Sequence, residues 1–242
     1  NFLSSAGKGL GLMALSSVTV AALLKDVVAA GKAVSHLSPI EAAMDEDYWA
    51  TIQQAFSVTR GIINLNNGGV CPSPRIVTEA FVRYTWQQED ATAYTMWQIL
   101  EPQSETVRTG LAEVFGSSPE EIAITRNASE SLEILLMGLD LKSGDEILTT
   151  TQDYPRMLTT LKQREIREGL KLNLIKIPIA PANVDDIPAA FERAVTPATK
   201  LILVSHQINL TGQIIPVKKV CDMARARGIE TIVDGAHAFA QF

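Results

Sequence analysis

The chain has 242 residues, 46% hydrophobic and 20% charged, with a net charge of −6. That length supports one large core with a further segment, and the acidic balance argues against nucleic-acid binding, which asks for a basic face. Two unspaced cysteines, Cys71 and Cys221, and three histidines point to neither a disulfide framework nor a metal site.

Residues 1–37 read as an export signal and linker. The stretch NFLSSAGKGLGLMALSSVTVAALLKD carries no charge from Gly9 to Leu24. That run falls short of the ~20 apolar residues of a membrane-spanning helix. It suits the apolar region of an export signal; a buried helix, a disordered tail and an uncleaved membrane anchor are the alternatives. The opening NFLSSAGKG is similar to a twin-arginine signal, although no arginine pair stands before Asn1. Export from the cytoplasm is the expectation.

From Ser38 to Phe242 the pattern is globular. SPIEAAMDEDYWATIQQAF predicts a helix, with Ser38 as N-cap and Pro39 in its first turn. INLNNGGVCPSP, Ile63 to Pro74, is a loop rich in Asn, Gly and Pro. RIVTEAFVRYTWQQ and SETVRTGLAEVFG are helical, the second closed by Gly116. Alternation follows. EIAIT, EILTT, KLNLIKIPI, KLILVSH and ETIVDGA read as strands, with helices between them. This order predicts an α/β fold with a mostly parallel sheet and flanking helices. Ligands of such sheets bind beyond the carboxyl ends of the strands.

The polar residues of interest fall just after those strands. TRNASES follows the first. Asn127 or Ser129 can cap the next helix there, and the free N–H groups can also take a phosphate. The loop lacks glycine, which disfavours a dinucleotide. In TQDYPRM, Tyr154 either closes the core or stacks on a planar ligand. In SHQINLTGQIIPV, Asn209 is the better ligand contact, and Thr211-Gly212 marks a turn or small hairpin. His206 reads as structural. Asp234 ends the last strand, with His237 three residues on. A buried carboxylate is costly without a cation or donors. An anion cup, an aromatic, an amide and an acid at one sheet edge would all serve pyridoxal 5'-phosphate (PLP). Its protonated ring nitrogen would pair with the acid.

The stretches INLNNGGVCPSP, LAEVFGSSPEEIAITRNASESL, TTTQDYP, LVSHQINLTGQIIPV and IVDGAHAFAQ resemble the class V aminotransferase family of fold-type I PLP enzymes. The resemblance runs from about Asp45 to the end and is greatest to the isopenicillin-N-epimerase-like branch. It implies that residues 38–242 are the N-terminal part of the PLP-binding domain. Ala128 and Ser129 match the phosphate-binding pair, and Tyr154 the residue stacked on the ring. Asn209 and His237 match residues near the phenolic oxygen, and Asp234 matches the acid on the ring nitrogen. Asn66 and Asn67 match a segment near the substrate. The resemblance also implies a homodimer and a small amino-acid-type substrate. It places the Schiff-base lysine, the carboxylate-binding arginine, the last strands and the small domain beyond Phe242. Epimerase or aminotransferase activity is the expectation, and a cysteine desulfurase or selenocysteine lyase is the alternative. Cys71 and Cys221 match no desulfurase cysteine. A non-catalytic binding protein of the same fold would lack the lysine.

Overall fold

The computed structural model describes residues 18–59 and 61–241, with side chains from residue 24. Residues 1–17, the larger part of the expected export signal, lie outside the described residues. Helix α1, Val18–Ala33, occupies most of the remainder of that region. No helix among the described residues is long and apolar enough to cross a membrane. The chain forms two compact units, one up to Ile124 and one from Thr125.

The first unit is helical. The single helix expected after Ser38 is two helices, α2 (Pro39–Ala43) and α3 (Glu46–Gln54). Ser38 does cap α2, in a capping box with Glu41. Asp45 interrupts the run because its carboxylate accepts the Tyr48 N–H at 2.8 Å and starts a second helix. Helix α4 (Arg75–Asp90) follows the expected loop. A short helical turn, Thr92–Tyr94, and a π-helical segment, Thr95–Leu100, lead into α5 (Glu101–Phe115). Gly116 closes α5 at φ 69°, in the left-handed region that glycine enters at no steric cost.

The second unit is a three-layer α/β structure. Four parallel strands, β1 (Glu146–Thr150), β2 (Lys171–Ile175), β3 (Thr199–Ser205) and β4 (Glu230–Asp234), form a sheet in the order β2-β1-β3-β4. Helices α6 (Ala128–Gly138), α7 (Pro155–Glu168), α8 (Asp186–Ala194) and α9 (Val217–Arg225) alternate with them. The pleat sends alternate side chains to opposite faces. Ile147, Leu201, Leu203 and Ile232 pack with Leu132, Leu136, Met157 and Leu161 of α6 and α7. Leu148, Ile202 and Val204 pack on the other face with Ile187, Phe191, Val220 and Ala224 of α8 and α9. Each of these buried side chains larger than alanine contributes about 1.5–3 kcal/mol. The two central strands are covered on both faces, and β3 accordingly carries the continuous apolar run Leu201–Val204.

One expected strand is absent. EIAIT forms a 3-10 turn at Pro119–Glu121 and then irregular chain to Thr125. Ile122 is extended, at φ −105° and ψ 122°, but its N–H returns to Pro119 within the turn. Apolar residues in an extended conformation make a strand only when a neighbour completes the ladder, and no described strand pairs with this one.

Two buried polar groups tie neighbouring elements together. Arg164, 3% exposed, sits on α7. It donates to the carbonyls of Leu136 and, at 3.0 Å, Leu139, and pairs with Glu168 at 2.6 Å. It thereby satisfies carbonyls that the end of α6 leaves open. Glu146, at the start of β1, accepts the hydroxyls of Thr196 at 3.0 Å and Thr199 at 2.6 Å.

Candidate functional site

β1 lies beside β3, although β2 separates them in sequence. The chain leaves β1 for β2 on one side and then builds β3 and β4 on the other. Such a reversal opens a crevice at the carboxyl ends of the strands, where ligands of open α/β sheets bind. The segments after β1, β3 and β4 meet at that edge.

After β1 comes Thr151-Gln152-Asp153-Tyr154. The Gln152 side chain makes two hydrogen bonds to the backbone of Ile177, at 2.7 and 3.1 Å. Asp153 is 2% exposed. Its Oδ2 accepts the Thr149 hydroxyl at 2.8 Å, the Thr150 N–H at 2.8 Å and the Thr150 hydroxyl at 2.7 Å. Its Oδ1 accepts the Ser205 N–H at 2.9 Å and the Ser205 hydroxyl at 2.6 Å. Five donors thus hold one carboxylate across the reversal point. Tyr154 follows at the start of α7, exposed, with Pro155 in the first helical turn. Sequence reasoning passed over Asp153. The available signal was a carboxylate behind two threonines at a strand end.

After β3 the chain turns back on itself. Gln207 and Ile214 form an antiparallel bridge, and the Ile208 N–H donates to Gln213 at 2.9 Å. This is the small hairpin that Thr211-Gly212 indicated, with Gly212 at φ 70°. Asn209 stands exposed near its tip. Gln213 ties the hairpin to the Pro178 carbonyl at 2.9 Å.

Asp234 ends β4 opposite Ser205 and is 9% exposed. Its backbone carbonyl accepts the His206 N–H at 2.8 Å. Its Oδ1 accepts the Ala236 N–H at 2.9 Å. A carboxylate offers about four acceptor positions, so it has capacity for another donor. His237 is half-buried in the turn that follows.

Ala128 and Ser129 open α6. Asn127 is the cap, and its Oδ1 accepts the Glu130 N–H at 2.9 Å. Glu130 turns back to the Arg126 N–H at 2.7 Å and to its guanidinium at 2.6 Å. The Arg126 hydrogen bond holds the Glu130 carboxyl below the usual carboxylate range. The N–H groups of Ala128 and Ser129 meet no acceptor among the described residues. Asn66 and Asn67 belong to the first unit. Their loop is braced by Asn64, whose side chain donates to Asn67 at 2.7 Å and accepts the Asn66 N–H at 2.9 Å. Tyr154, Asn209, Asp234 and His237 therefore lie in the segments of one sheet edge, Ala128 and Ser129 open a helix of the same unit, and Asn66 and Asn67 lie in the other unit.

The cysteines differ. Cys71 is exposed. Burial pushes the Cys221 thiol up, partly offset by a hydrogen bond with Thr231. The thiolate is the reactive form, so Cys221 is expected to react with an aromatic disulfide at neutral pH at least about tenfold more slowly than Cys71. Peptide mapping of a time course checks this; equal rates would contradict it. Among the described residues, no group of three His, Cys, Asp or Glu is placed to hold a metal ion.

A fold-type I architecture with its polar groups at the carboxyl edge defines the class. Residues 63–242 match the model of the aminotransferase class-V family, and the chain belongs to that family. It is 34% identical over 180 residues to the isopenicillin N epimerase of Streptomyces clavuligerus, a match covering 73% of this chain and 44% of that protein. It is 31% identical to the isopenicillin N epimerase of Amycolatopsis lactamdurans, covering 78% and 48%. A probable cysteine desulfurase of Synechocystis is 26% identical, covering 78% and 47%. The chain spans about half the length of these curated relatives. Among solved structures, the cystine C-S lyase C-DES with its product cysteine persulfide superposes at a TM-score of 0.66 with 28% identity, covering 72% of this chain and 47% of that one. A C-DES mutant with glycine covalently linked to its PLP cofactor reaches 0.70 at 24% identity, covering 77% and 50%. Enzymes of the family depend on PLP and act on amino-acid-type small molecules.

Proposed function

We propose that this chain is the PLP-binding part of an isopenicillin-N-epimerase-like enzyme that works at the α-carbon of an amino acid or a molecule derived from one. The observation that carries this reading is the identity of 34% and 31% to two epimerases, against 26% to the Synechocystis desulfurase. The residues fit the cofactor. Asp234 is a buried carboxylate with acceptor capacity at a strand end. Ala128 and Ser129 offer N–H groups at a helix start, where the helix dipole favours a phosphate. Tyr154 offers an exposed ring, and Asn209 and His237 stand on neighbouring turns. When bound, PLP supplies an electron sink for a carbanion at the substrate α-carbon. The chain's own task is to anchor the phosphate through Ala128 and Ser129, cover one ring face with Tyr154, and hold a proton at the ring nitrogen through Asp234. Asn209 and His237 would orient the phenolic oxygen.

Expressing the complete reading frame tests this. The protein is expected to retain a visible absorbance band from bound PLP. In deuterium oxide, it is expected to exchange the α-hydrogen of its amino-acid substrate. Conversion of cysteine to alanine, with sulfide released on addition of a thiol reductant, would favour the desulfurase. The absence of PLP would favour a binding protein.

Assembly and destination complete the proposal. Phe81, Trp86 and Trp97 of the first unit are 72%, 71% and 63% exposed, and large exposed apolar side chains support self-association. Light scattering of the purified protein is expected to give twice the protomer mass; a monomer at micromolar concentration would reject the homodimer. Export through a twin-arginine-like signal is tested by fractionation, which is expected to find the protein outside the cytosol.

A further inference from the structure

Asp153 makes five hydrogen bonds at the sheet edge, yet none of the contacts proposed above uses it. We infer that Asp153 is a positioning residue: its carboxylate pins the turn carrying Tyr154 to the end of β3 and so fixes where that ring stands for the cofactor. The inference rests on the PLP reading and adds a determinant to it.

The geometry is specific to a short carboxylate. Oδ2 accepts the Thr150 N–H and Oδ1 accepts the Ser205 N–H, at 2.8 and 2.9 Å. Backbone donors cannot turn away. An asparagine in either orientation would set its NH2 against one of them, and buried donors left unpaired are costly. Glutamate carries one methylene more in a site that is 2% exposed. The three hydroxyls, of Thr149, Thr150 and Ser205, complete the cage at 2.6–2.8 Å. Two oxygens of one side chain therefore bind β1 to β3.

Tyr154 inherits its place from this cage. It is the next residue and is 38% exposed. Its carbonyl accepts the N–H groups of Met157 at 3.0 Å and Leu158 at 3.2 Å, and Met157 is buried in the core. The turn is thus held on one side by Asp153 and on the other by the first turn of α7. Ser205, the β3 end of the cage, is the register partner of Asp234. One carboxylate links the residue proposed to cover the ring to the strand that neighbours the proposed acid.

A double-mutant cycle on the protein expressed from its complete reading frame tests the inference. PLP is titrated into apoprotein and followed by tryptophan fluorescence. Ser205→Ala removes one hydroxyl and keeps both backbone donors, so the fold should stand. It is expected to raise the PLP dissociation constant about 3- to 10-fold, and Asp153→Asn more, about 30-fold. In a Tyr154→Ala background both effects are expected to shrink to within about twofold, because the residue they act through is gone. Hydrogen exchange of ligand-free Ser205→Ala is expected to quicken at residues 150–158 and not in α8. Equal losses with and without Tyr154 would overturn the positioning role while leaving the cofactor reading intact. A wild-type protein that binds no PLP would overturn that reading and this inference with it.

Discussion

Asp234→Asn is expected to raise the PLP dissociation constant by on the order of 10²- to 10³-fold while leaving the apoprotein folded. Removing one partner of a buried charge pair costs about 3–5 kcal/mol, and each 1.4 kcal/mol is about tenfold. The fold has reason to survive. The His206 N–H bonds to the backbone carbonyl of residue 234, not to its side chain. The asparagine oxygen can still accept the Ala236 N–H that Oδ1 now takes at 2.9 Å. Fluorescence titration gives the affinity, and a thermal melt gives the control. A PLP analogue with carbon in place of the ring nitrogen should bind both proteins alike. If the natural cofactor also binds both alike, Asp234 is not its partner.

Arg164→Ala is expected to cost about 2–4 kcal/mol of stability, roughly 10 °C in melting temperature for a chain of this size. The guanidinium is 3% exposed and serves the carbonyls of Leu136 and Leu139. Alanine leaves the Leu136 carbonyl without a donor, whereas that of Leu139 keeps the Leu141 N–H at 2.9 Å, and a buried unpaired carbonyl costs about 1–3 kcal/mol. Arg164→Lys should recover only part, since an ammonium cannot span two carbonyls and Glu168 as a planar fork does. The Arg164 hydrogen bond also holds the Glu168 carboxyl below its ordinary range. A depressed folded value stabilises above the ordinary carboxylate pKa, and this is lost as pH falls through the folded value. Wild type and variant should therefore draw closer in stability on the acid side of that range. Chemical denaturation across pH measures both effects, and an unchanged midpoint at neutral pH would refute the first.

The parallel sheet was legible chiefly in its two central strands, whose faces are both buried. LILV and EILTT read as strands without regard to partners. EIAIT is similarly rich in apolar and β-branched residues and formed none, because pairing depends on a neighbour that local sequence does not encode. The division at Asp45 was hidden for a related reason. Acids early in a helix suit its dipole, and the same acid can cap a new helix. Asp234 and Tyr154 stood out as a carboxylate and an aromatic at strand ends. Asp153 did not, because its importance lies partly in Ser205, 52 residues away. Local sequence does not set Arg164 apart from the other charges of α7, and only the fold shows it reaching the end of α6.

The strand order has a consequence for how the chain assembles during synthesis. β1 lies between β2 and β3 yet leaves the ribosome before either. Its pairing with β2 closes a short loop, whereas pairing with β3 must wait for residues 199–205 and closes a longer one, at greater entropic cost. The Asp153 cage follows the same order. Its bonds to Thr149 and Thr150 span three or four residues and can form as the turn emerges. Its bonds to Ser205 lock last. A ready-made half-cage would greet β3 on arrival and favour the correct register over a slipped one, so the end of β1 acts as a guide for docking as well as a part of the finished site.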